Sequence, residues 1–352
     1  MNTIYVRTLK RAEHTVFCVA DGQKSYYDSQ FNRRIPYSSG QQVKRSILDS
    51  LNRLLNSPGS PTTFIFDVVK KGELKEGEVY GTCNPAHVDQ LFGGWMKAAK
   101  GGKEKTLKRR SPLSISAMRG LHPLLAGISS ENISFDRTDR ANNQIIVRDT
   151  KGNPLDQEEI EALLEGKDRS LRRKWIPNNS RASGLFVMDM AIDLRRLFSV
   201  VLNPFEPEIT AEVEKQLRAE GWIETETVFG LSLIAPKESR EKWIEVLASA
   251  IIDWKITSNQ SRTFSLMETL AVAVSEDAHA IAASIRAKLT EDDKALPVIQ
   301  EDMEGVETFV TLPAAAYIKT QSEQVAATQK AKAHLIKLMT AFPYENQLEA
   351  VS

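Results

Sequence analysis

An arginine-containing loop that leads into an amphipathic helix is the feature that most constrains how this chain can fold. Arg33, Arg34 and Pro36 precede a polar turn at residues 38–40. Beyond the turn, apolar residues recur at helical spacing: Val43, Ile47, Leu48, Leu51, Leu54 and Leu55. A helix with one apolar face must bury that face, so residues 33–55 predict a helix that packs on a core and begins in a cationic loop.

The start of this helix combines groups that bind an anion. The hydroxyl of Ser38 or Ser39 can cap the helix by accepting a hydrogen bond from a first-turn N–H. Free backbone N–H groups and the positive end of the helix dipole lie at the same point. Gln41, Lys44 and Arg45 project from the first turn and a half. We interpret this start as a phosphate site, and the alternative is a solvated cationic helix terminus.

The charge balance excludes a chain-wide attraction to nucleic acid. The 352 residues carry 46 Lys and Arg against 46 Asp and Glu, a formal net charge of zero. Long-range steering toward a polyanion requires an excess of positive charge, so a nucleic-acid surface has to be a local patch. Apolar content of 41% and charged content of 26% are typical of a globular chain with one large core or two smaller ones.

Sequence features of several other protein classes are missing. Two cysteines, Cys18 and Cys83, are too few for a disulfide scaffold or a zinc site. We find no signal-peptide pattern and no apolar run near the roughly 20 residues that span a bilayer, so we expect a cytoplasmic protein without a membrane partner. Without a P-loop, G-x-G-x-x-G, H-E-x-x-H or G-x-S-x-G motif, we expect no cofactor, no metal and no catalytic residue.

Periodic segments along the chain predict an α+β fold. A strand, a helix and a strand in residues 1–69 recur beyond residue 236, which is the order of a ferredoxin-like or RNA-recognition-type fold. The predicted strands are 4–8, 15–20, 62–69, 184–194, 225–235 and 266–274, and the further helices are 156–164, 210–220, 237–254, 276–289 and 321–339.

The strand at 184–194 has the clearest alternation. Leu185, Val187 and Asp189 are expected on one side of the sheet. The other side takes apolar residues: Phe186, Met188, Met190 and Ile192. We interpret Met188 and Met190 as core residues.

Two further segments have compositions that suit RNA. Residues 100–110 carry six cations against Glu104, including Arg109 and Arg110, and form either a solvated loop or a set of phosphate contacts. Tyr26, Tyr27 and Phe31 either pack beneath the arginine loop or offer a stacking surface for a base.

The helix start also carries a family resemblance. The run Ser38-Ser39-Gly40-Gln41-Gln42-x-Lys44-Arg45 after an arginine-rich loop resembles the backbone subunit of CRISPR Cascade complexes, the type I effectors. That family is DevR-like and belongs to the RAMP superfamily. The similarity continues more loosely through residues 89–96, 109–113 and 258–262.

The resemblance implies a right-hand shape in which a ferredoxin-like or RRM-like palm carries a large fingers insertion and a thumb. On this basis we divide the chain into a first palm segment (1–69), fingers (70–183), a palm strand (184–198), a thumb (199–235), a last palm segment (236–290) and a C-terminal extension with a long helix (291–352).

The resemblance further implies a non-catalytic crRNA-binding subunit that oligomerises along the guide and presents it for pairing with target DNA. Each family member holds six nucleotides, and its partners are crRNA, other copies and other Cascade subunits in antiviral defence. Transposon targeting stays open as another role. The resemblance implies that the residues of the matching motif contact the backbone of the guide RNA: Arg33, Arg34, Ser39, Gln41, Lys44 and Arg45. Arg262 is assigned to the same role more loosely. In the family, an apolar residue near the strand at 184–194 wedges between bases, and Met188 is the residue of this chain that the resemblance assigns to that role.

Two other functions stay open. Related type III backbone subunits cut target RNA with an aspartate in the loop before this helix, and Asp28 lies in that loop. The sequence around Asp28 differs from their pattern, so a ribonuclease is the alternative and not the expectation. A stand-alone RNA-binding regulator would also use the anion site, but it would have no use for a large insertion and a thumb.

Overall fold

The described residues form helices, one large central sheet and four small sheets, which confirms the predicted α+β class. The computed structural model describes residues 2–18, 22–69, 72–75, 77–99, 105–136, 144–167, 171–256 and 264–348. In the stretches of chain so described, no helix has both the length and the apolar content to span a bilayer.

The helices of the described residues range from one turn to almost five turns. They are α1 (Gly40–Leu54), α2 (Val88–Gly93), α3 (Gln157–Leu164), α4 (Leu194–Leu197), α5 (Ala211–Ala219), α6 (Lys237–Asp253), α7 (Ala278–Ser284) and α8 (Ala327–Thr340), with 3-10 turns at Pro123–Leu125 and Leu312–Ala316.

The strands are mostly short, with three long exceptions in the central sheet. They are β1 (Thr3–Thr15), β2 (Ser25–Asp28), β3 (Arg33–Ser38), β4 (Thr63–Ile65), β5 (Glu78–Tyr80), β6 (Trp95–Lys97), β7 (Leu107–Arg109), β8 (Leu113–Ile115), β9 (Met118–Gly120), β10 (Ala126–Asp136), β11 (Arg173–Asp193), β12 (Ser199–Val201), β13 (Ile223–Thr227), β14 (Gly230–Ile234), β15 (Glu268–Ser275), β16 (Ile285–Leu289), β17 (Ala295–Ile299), β18 (Val306–Thr311) and β19 (Glu323–Gln324).

The central sheet has the strand order β19-β18-β15-β1-β11-β9-β3-β2, and β8 and β10 also pair with β11. Strand β1 lies between β11 and β15 and is antiparallel to both. In chain order, β1, α1, β8, β11, α6 and β15 follow the β-α-β-β-α-β pattern of a ferredoxin-like unit. The division into palm, fingers and thumb stays a prediction.

One face of the sheet carries the main core. Helices α1, α6 and α8 bury their apolar stripes here, and each fully buried large aliphatic side chain contributes about 1.5–3 kcal/mol. The central contributors are Val43, Ile47 and Leu51 of α1, Ile244, Leu247 and Ile251 of α6, Leu335 and Met339 of α8, and Phe186, Met188, Met190 and Ile192 of β11. The alternation predicted for residues 184–194 is therefore confirmed.

The second face of the sheet is only partly covered. A smaller apolar cluster joins Leu9 and Leu185 of the sheet to Ile281 of α7, Ile285 and Val310. Beside this cluster the strands carry polar side chains on the same face. Arg7 of β1 and Asp189 of β11 lie opposite each other in the strand register there. This uncovered area positions the candidate site.

Several predicted elements are wrong. The run at 4–8 is part of one longer strand, β1, which continues to Thr15. Of the second predicted run, residues 16–18 are not in a strand, and residues 19–20 lie outside the described residues. The segment 62–69 is not a buried strand. Its strand β4 pairs only with β5, and Phe64 and Val68 are 61% and 70% exposed. An apolar run identifies a strand, but it does not show which sheet the strand joins.

Other predicted boundaries differ because turns interrupt the pattern. Residues 225–235 form two strands, β13 and β14, joined at Val228–Phe229, and residues 276–289 split into α7 and β16. The helices at 156–164, 210–220 and 237–254 are confirmed, and the tail helix is shorter than predicted, from Ala327 to Thr340.

Candidate nucleic-acid interface

Helix α1 begins with a built N-terminal cap. Ser39 has extended backbone, and its Oγ accepts a hydrogen bond from the N–H of Gln42 at 3.4 Å. Of the two predicted caps, Ser39 is therefore the one used. The hydroxyl of Ser38 is buried and donates to the carbonyl of Phe17 at 3.2 Å. Gln41 is exposed on the first turn.

The start of α1 lies directly on the end of strand β8. A Cβ added to Gly40 would lie 2.7 Å from the carbonyl oxygen of Ile115 and 3.3 Å from that of Ser116, so only glycine allows this approach. Ser116 in turn pairs with β11, because its N–H donates to the carbonyl of Asp189 and its Oγ accepts from the Asp189 N–H, both at 2.9 Å. The helix terminus is thus tied, through Ser116, to the backbone of β11 at Asp189.

Two arginines share the carboxylate of Asp189. Arg7 Nη1 donates to Asp189 Oδ1 at 2.8 Å, and Arg119 Nη2 donates to Oδ2 at 3.0 Å. The side chains of Arg7, Arg119 and Asp189 are 10%, 41% and 35% exposed. We call these three residues the Arg7–Arg119 cluster. Because two cations face one carboxylate, the cluster keeps a net positive charge.

The Arg7–Arg119 cluster borders an open cavity of about 470 Å³. Ser114, Ile115 and Ser116 form one side of the cavity, so it reaches the strand end on which α1 rests. Burial lowers the pKa of Arg7, and the positive charges of Arg119 and Arg286 lower it further against the opposing effect of Asp189. An anion in this cavity would relieve the repulsion among these arginines.

Tyrosines continue the surface beyond Arg119. Tyr37 is the register partner of Arg119 between β3 and β9, and the rings of Tyr26 and Tyr37 meet edge to face at 6.0 Å. Tyr26 and Tyr27 are exposed. Burial raises the pKa of Tyr26, Asp28 adds to the increase, and Arg119 opposes it. Exposed aromatic rings beside a cationic groove are a common surface for unpaired bases.

The predicted arginines of the loop lie on β3, opposite β2. Arg34 is exposed opposite Tyr27, and its Nη1 donates to Ser25 Oγ at 3.4 Å. Arg33 is half-buried opposite Asp28. Arg45 is exposed on α1, where its Nε lies 2.9 Å from Asp49 Oδ1.

Lys44 points into the protein. Its Nζ donates to the carbonyl oxygens of Gly93 at 2.9 Å and Leu113 at 3.5 Å. Burial lowers the pKa of Lys44 to about 8, and the nearby Arg109 contributes to the decrease. A phosphate contact by Lys44 stays a prediction, but its ammonium already joins α1 to two neighbouring chain segments.

Arg109 is a buried structural residue and not an exposed cation of a basic loop. Its guanidinium donates to the carbonyl oxygens of Leu91, Arg196 and Ser199, and it lies 5.4 Å from the centre of the Trp95 ring. Burial lowers the pKa of Arg109 to about 10. An RNA phosphate cannot reach this side chain without displacing those carbonyls, which corrects the expected RNA contact.

The remaining predicted residues fall into three situations. Met188 is 1% exposed in the main core, which confirms the packing interpretation and leaves no surface for a base to contact. Arg110 is exposed on the segment after β7. Arg262, with the looser match at 258–262, lies outside the described residues.

Asp28 has a local structural role. Its Oδ1 accepts a hydrogen bond from the N–H of Phe31 at 2.9 Å, which closes the turn between β2 and β3. Across the described ranges, no group of three or more His, Cys, Asp or Glu side chains is arranged to hold a metal ion.

Sequence reasoning missed Arg7 and Arg119. On one side of β1, Leu9 lies between the cations Arg7 and Arg11. That alternation was an available signal. Arg119 lies in a three-residue strand, which is too short to show a period.

No protein-family model matches this sequence, and no curated protein matches it. Similarity appears among solved structures. A chain of a "CRISPR RNA-guided surveillance complex, pre-nicking" is 8% identical with a TM-score of 0.44, and the match covers 96% of this chain and 89% of that chain. A chain of a "CRISPR RNA-guided surveillance complex" is 12% identical with a TM-score of 0.40, and the match covers 96% of this chain and 98% of that chain.

Proposed function

We propose that this protein is a non-catalytic crRNA-binding backbone subunit of a type I CRISPR Cascade complex. One observation carries the proposal. The capped start of α1, which bears the resemblance motif, is joined through Ser116 to the positively charged Arg7–Arg119 cluster. The start of α1 and the guanidinium groups are therefore linked through the end of β8 and through β11, and backbone N–H groups and guanidinium groups are both groups that bind phosphates.

The RNA backbone is the portion of the guide that this surface suits. Arg119 is the half-exposed cation of this surface, and guanidinium groups bind phosphate oxygens in a bidentate manner. Arg34 and Gln41 are further exposed polar side chains, on β3 and on the first turn of α1. The exposed ring of Tyr26, which meets Tyr37 beside Arg119, can stack on any base, because every base has a π-face. Binding of this kind does not read sequence, so guide pairing with target DNA supplies the specificity.

Assembly along the guide is the other half of the proposal. The hairpin of β4 and β5 exposes apolar side chains that a lone subunit leaves in water: Phe64, Phe66, Val68, Leu74 and Val79. Contiguous exposed apolar residues often mark protein contacts. The resemblance implies contacts with other copies and with other Cascade subunits, and we assign this hairpin to one of those contacts.

Titration of labelled single-stranded RNA at several salt concentrations tests the binding surface. We expect log affinity to fall linearly with log salt, and Arg119→Ala to reduce the slope by about 0.7 for one lost phosphate contact. Arg53→Ala, an exposed arginine in the last turn of α1, is the matched control and should leave the slope unchanged. Equal slopes for both variants, or strong preference for one RNA sequence, would count against the proposal.

A further inference from the structure

A second basic cavity lies apart from the Arg7–Arg119 cluster. It has a volume of about 580 Å³ and opens between the residues around β7 and the loop that follows β12. Its lining combines cations with aromatic rings: Lys105, Lys108, Arg110, Arg196, Phe205 and Phe229. The surface proposed for the guide does not include this cavity.

The floor of the cavity is fixed by Arg196. The guanidinium of Arg196 stacks on the Phe229 ring, with Cζ 3.6 Å from the ring centre. Its Nη1 lies 3.6 Å from Glu208 Oε1, and Arg109 Nε lies 3.8 Å from the other oxygen of the same carboxylate. Two guanidinium groups therefore share one buried carboxylate, and the floor keeps a positive charge.

The rim of the cavity adds three further cations. Lys108 and Arg110 are exposed, and within the described ranges neither side chain has a hydrogen bond or an ion pair. Lys105 donates to the carbonyl of Pro204. Glu206 is the further carboxylate that lines the cavity besides Glu208. Four cations thus line the cavity with two carboxylates, and one of these, Glu208, is already shared by Arg109 and Arg196.

An exposed aromatic ring completes the site. Phe205 is 85% exposed beside these cations, and the N–H groups of Phe205 and Glu206 donate to Asn203 Oδ1, which holds the loop in shape. An isolated phenyl ring in water gains nothing for the fold. Next to uncommitted cations it provides the stacking platform that single-stranded nucleic acids use.

We propose that this cavity binds a second segment of single-stranded nucleic acid. Lys108, Arg110 and Arg196 hold its phosphates, and Phe205 stacks on one base. The inference extends the proposed function, because the segment is additional to the one held at α1. The strand can be guide RNA or a DNA strand, since both present phosphates and bases to these groups.

Short labelled oligomers of uridine and of thymidine provide the test, with fluorescence anisotropy as the readout. We expect Lys108→Ala with Arg110→Ala to reduce the salt slope by about 1.4, for two lost contacts. Phe205→Ala should lower affinity about tenfold. The matched control is Lys237→Ala with Lys242→Ala, two exposed cations of α6. Thermal unfolding of each variant identifies any that fails to fold, and Lys108→Gln with Arg110→Gln then replaces the alanine pair.

The outcomes separate this inference from the proposed function. If the Lys108 and Arg110 variants bind like wild type while Arg119→Ala loses affinity, the second site is wrong and the proposed function stands. If the Lys108 and Arg110 variants lose affinity while Arg119→Ala binds like wild type, the second site is supported and the proposed guide surface is wrong. Equal loss with uridine and thymidine oligomers, or loss with only one of them, supports the site and identifies the strand it takes. No loss with either oligomer contradicts it.

Discussion

Arg119 and Asp189 form an ion pair across the uncovered face of the central sheet, with Arg119 Nη2 3.0 Å from Asp189 Oδ2. The other carboxylate oxygen accepts from the more buried Arg7. One carboxylate thus holds a half-exposed and a nearly buried arginine side by side. This arrangement positions cations next to the start of α1 and explains why a chain with zero net charge can still present a local anion site.

Asp189→Asn tests whether the carboxylate holds the cluster together. The change leaves Arg7, which is nearly buried, without an ionic partner, and we expect a loss of about 1–3 kcal/mol in the free energy of unfolding. RNA affinity of the folded protein should not fall, because a negative charge is removed. Urea unfolding measures the first effect. Asp49→Asn, at the exposed pair with Arg45, is the control and should change stability by less than about 0.5 kcal/mol.

Lys44 and Arg45 should behave differently although they are adjacent. Lys44→Ala removes the donor to Gly93 and Leu113, so we expect it to cost about 1–3 kcal/mol of stability. Arg45→Ala should be nearly neutral for stability, because its side chain is exposed. It should weaken RNA binding, because the exposed guanidinium is a proposed contact to the guide backbone. Chemical unfolding and RNA titration of both single variants measure this. A stable Lys44→Ala protein would show that the inward hydrogen bonds are dispensable.

Lys10 should make stability depend on pH. Its Nζ donates to the carbonyl of Ile252 at 2.9 Å and to Thr269 Oγ1 at 2.7 Å beneath the Trp254 ring. Burial lowers the pKa of Lys10 from 10.5 to about 7, with Asp253 opposing this and Lys255 adding to it. Between these two values the unfolded chain holds the proton and the folded protein does not, so stability rises with pH.

The measurement for Lys10 is a comparison with Lys10→Met, a side chain of similar length without the charge. We expect wild type to gain stability relative to the variant as pH rises from about 7 to about 9, as measured by urea unfolding. A difference that stays constant across this range would mean that Lys10 keeps its proton when buried.

Asp28 separates a binder from a ribonuclease. Its carboxylate closes the turn before Phe31, so we expect Asp28→Ala to reduce stability modestly, by about 1 kcal/mol. Complexes with guide and complementary RNA, given Mg²⁺ or Mn²⁺, should leave the target intact. Cuts at regular intervals that disappear in Asp28→Ala would instead place the protein with the type III-like enzymes.

The elements that were predictable from sequence are those with a clear period or a local signal. The apolar stripe of α1, a serine cap at residue 38 or 39 and the two faces of residues 184–194 follow from side-chain spacing and from capping chemistry, and the structure selects Ser39 as the cap. The joining of α1 to Asp189 was not predictable. It depends on the close approach of Gly40 to Ile115, two residues that are distant in the chain.

The misplaced residues share a physical cause. Lys44 and Arg109 were expected at the surface because they are charged, but a long side chain can lie in the interior when carbonyl oxygens satisfy its donors. The sequence shows which residues are charged, but it does not show where backbone carbonyl oxygens lie in the folded protein. The same limit applies to Phe64, whose apolar character predicted burial although its strand joins only a small hairpin.

Native mass spectrometry of the protein with guide RNAs of increasing length tests the central claim most directly. A backbone subunit that holds the guide by its phosphates should add one copy for each six-nucleotide step, with the same step for unrelated RNA sequences. A single copy on every RNA, whatever its length, would contradict assembly along the guide and favour a stand-alone RNA-binding regulator.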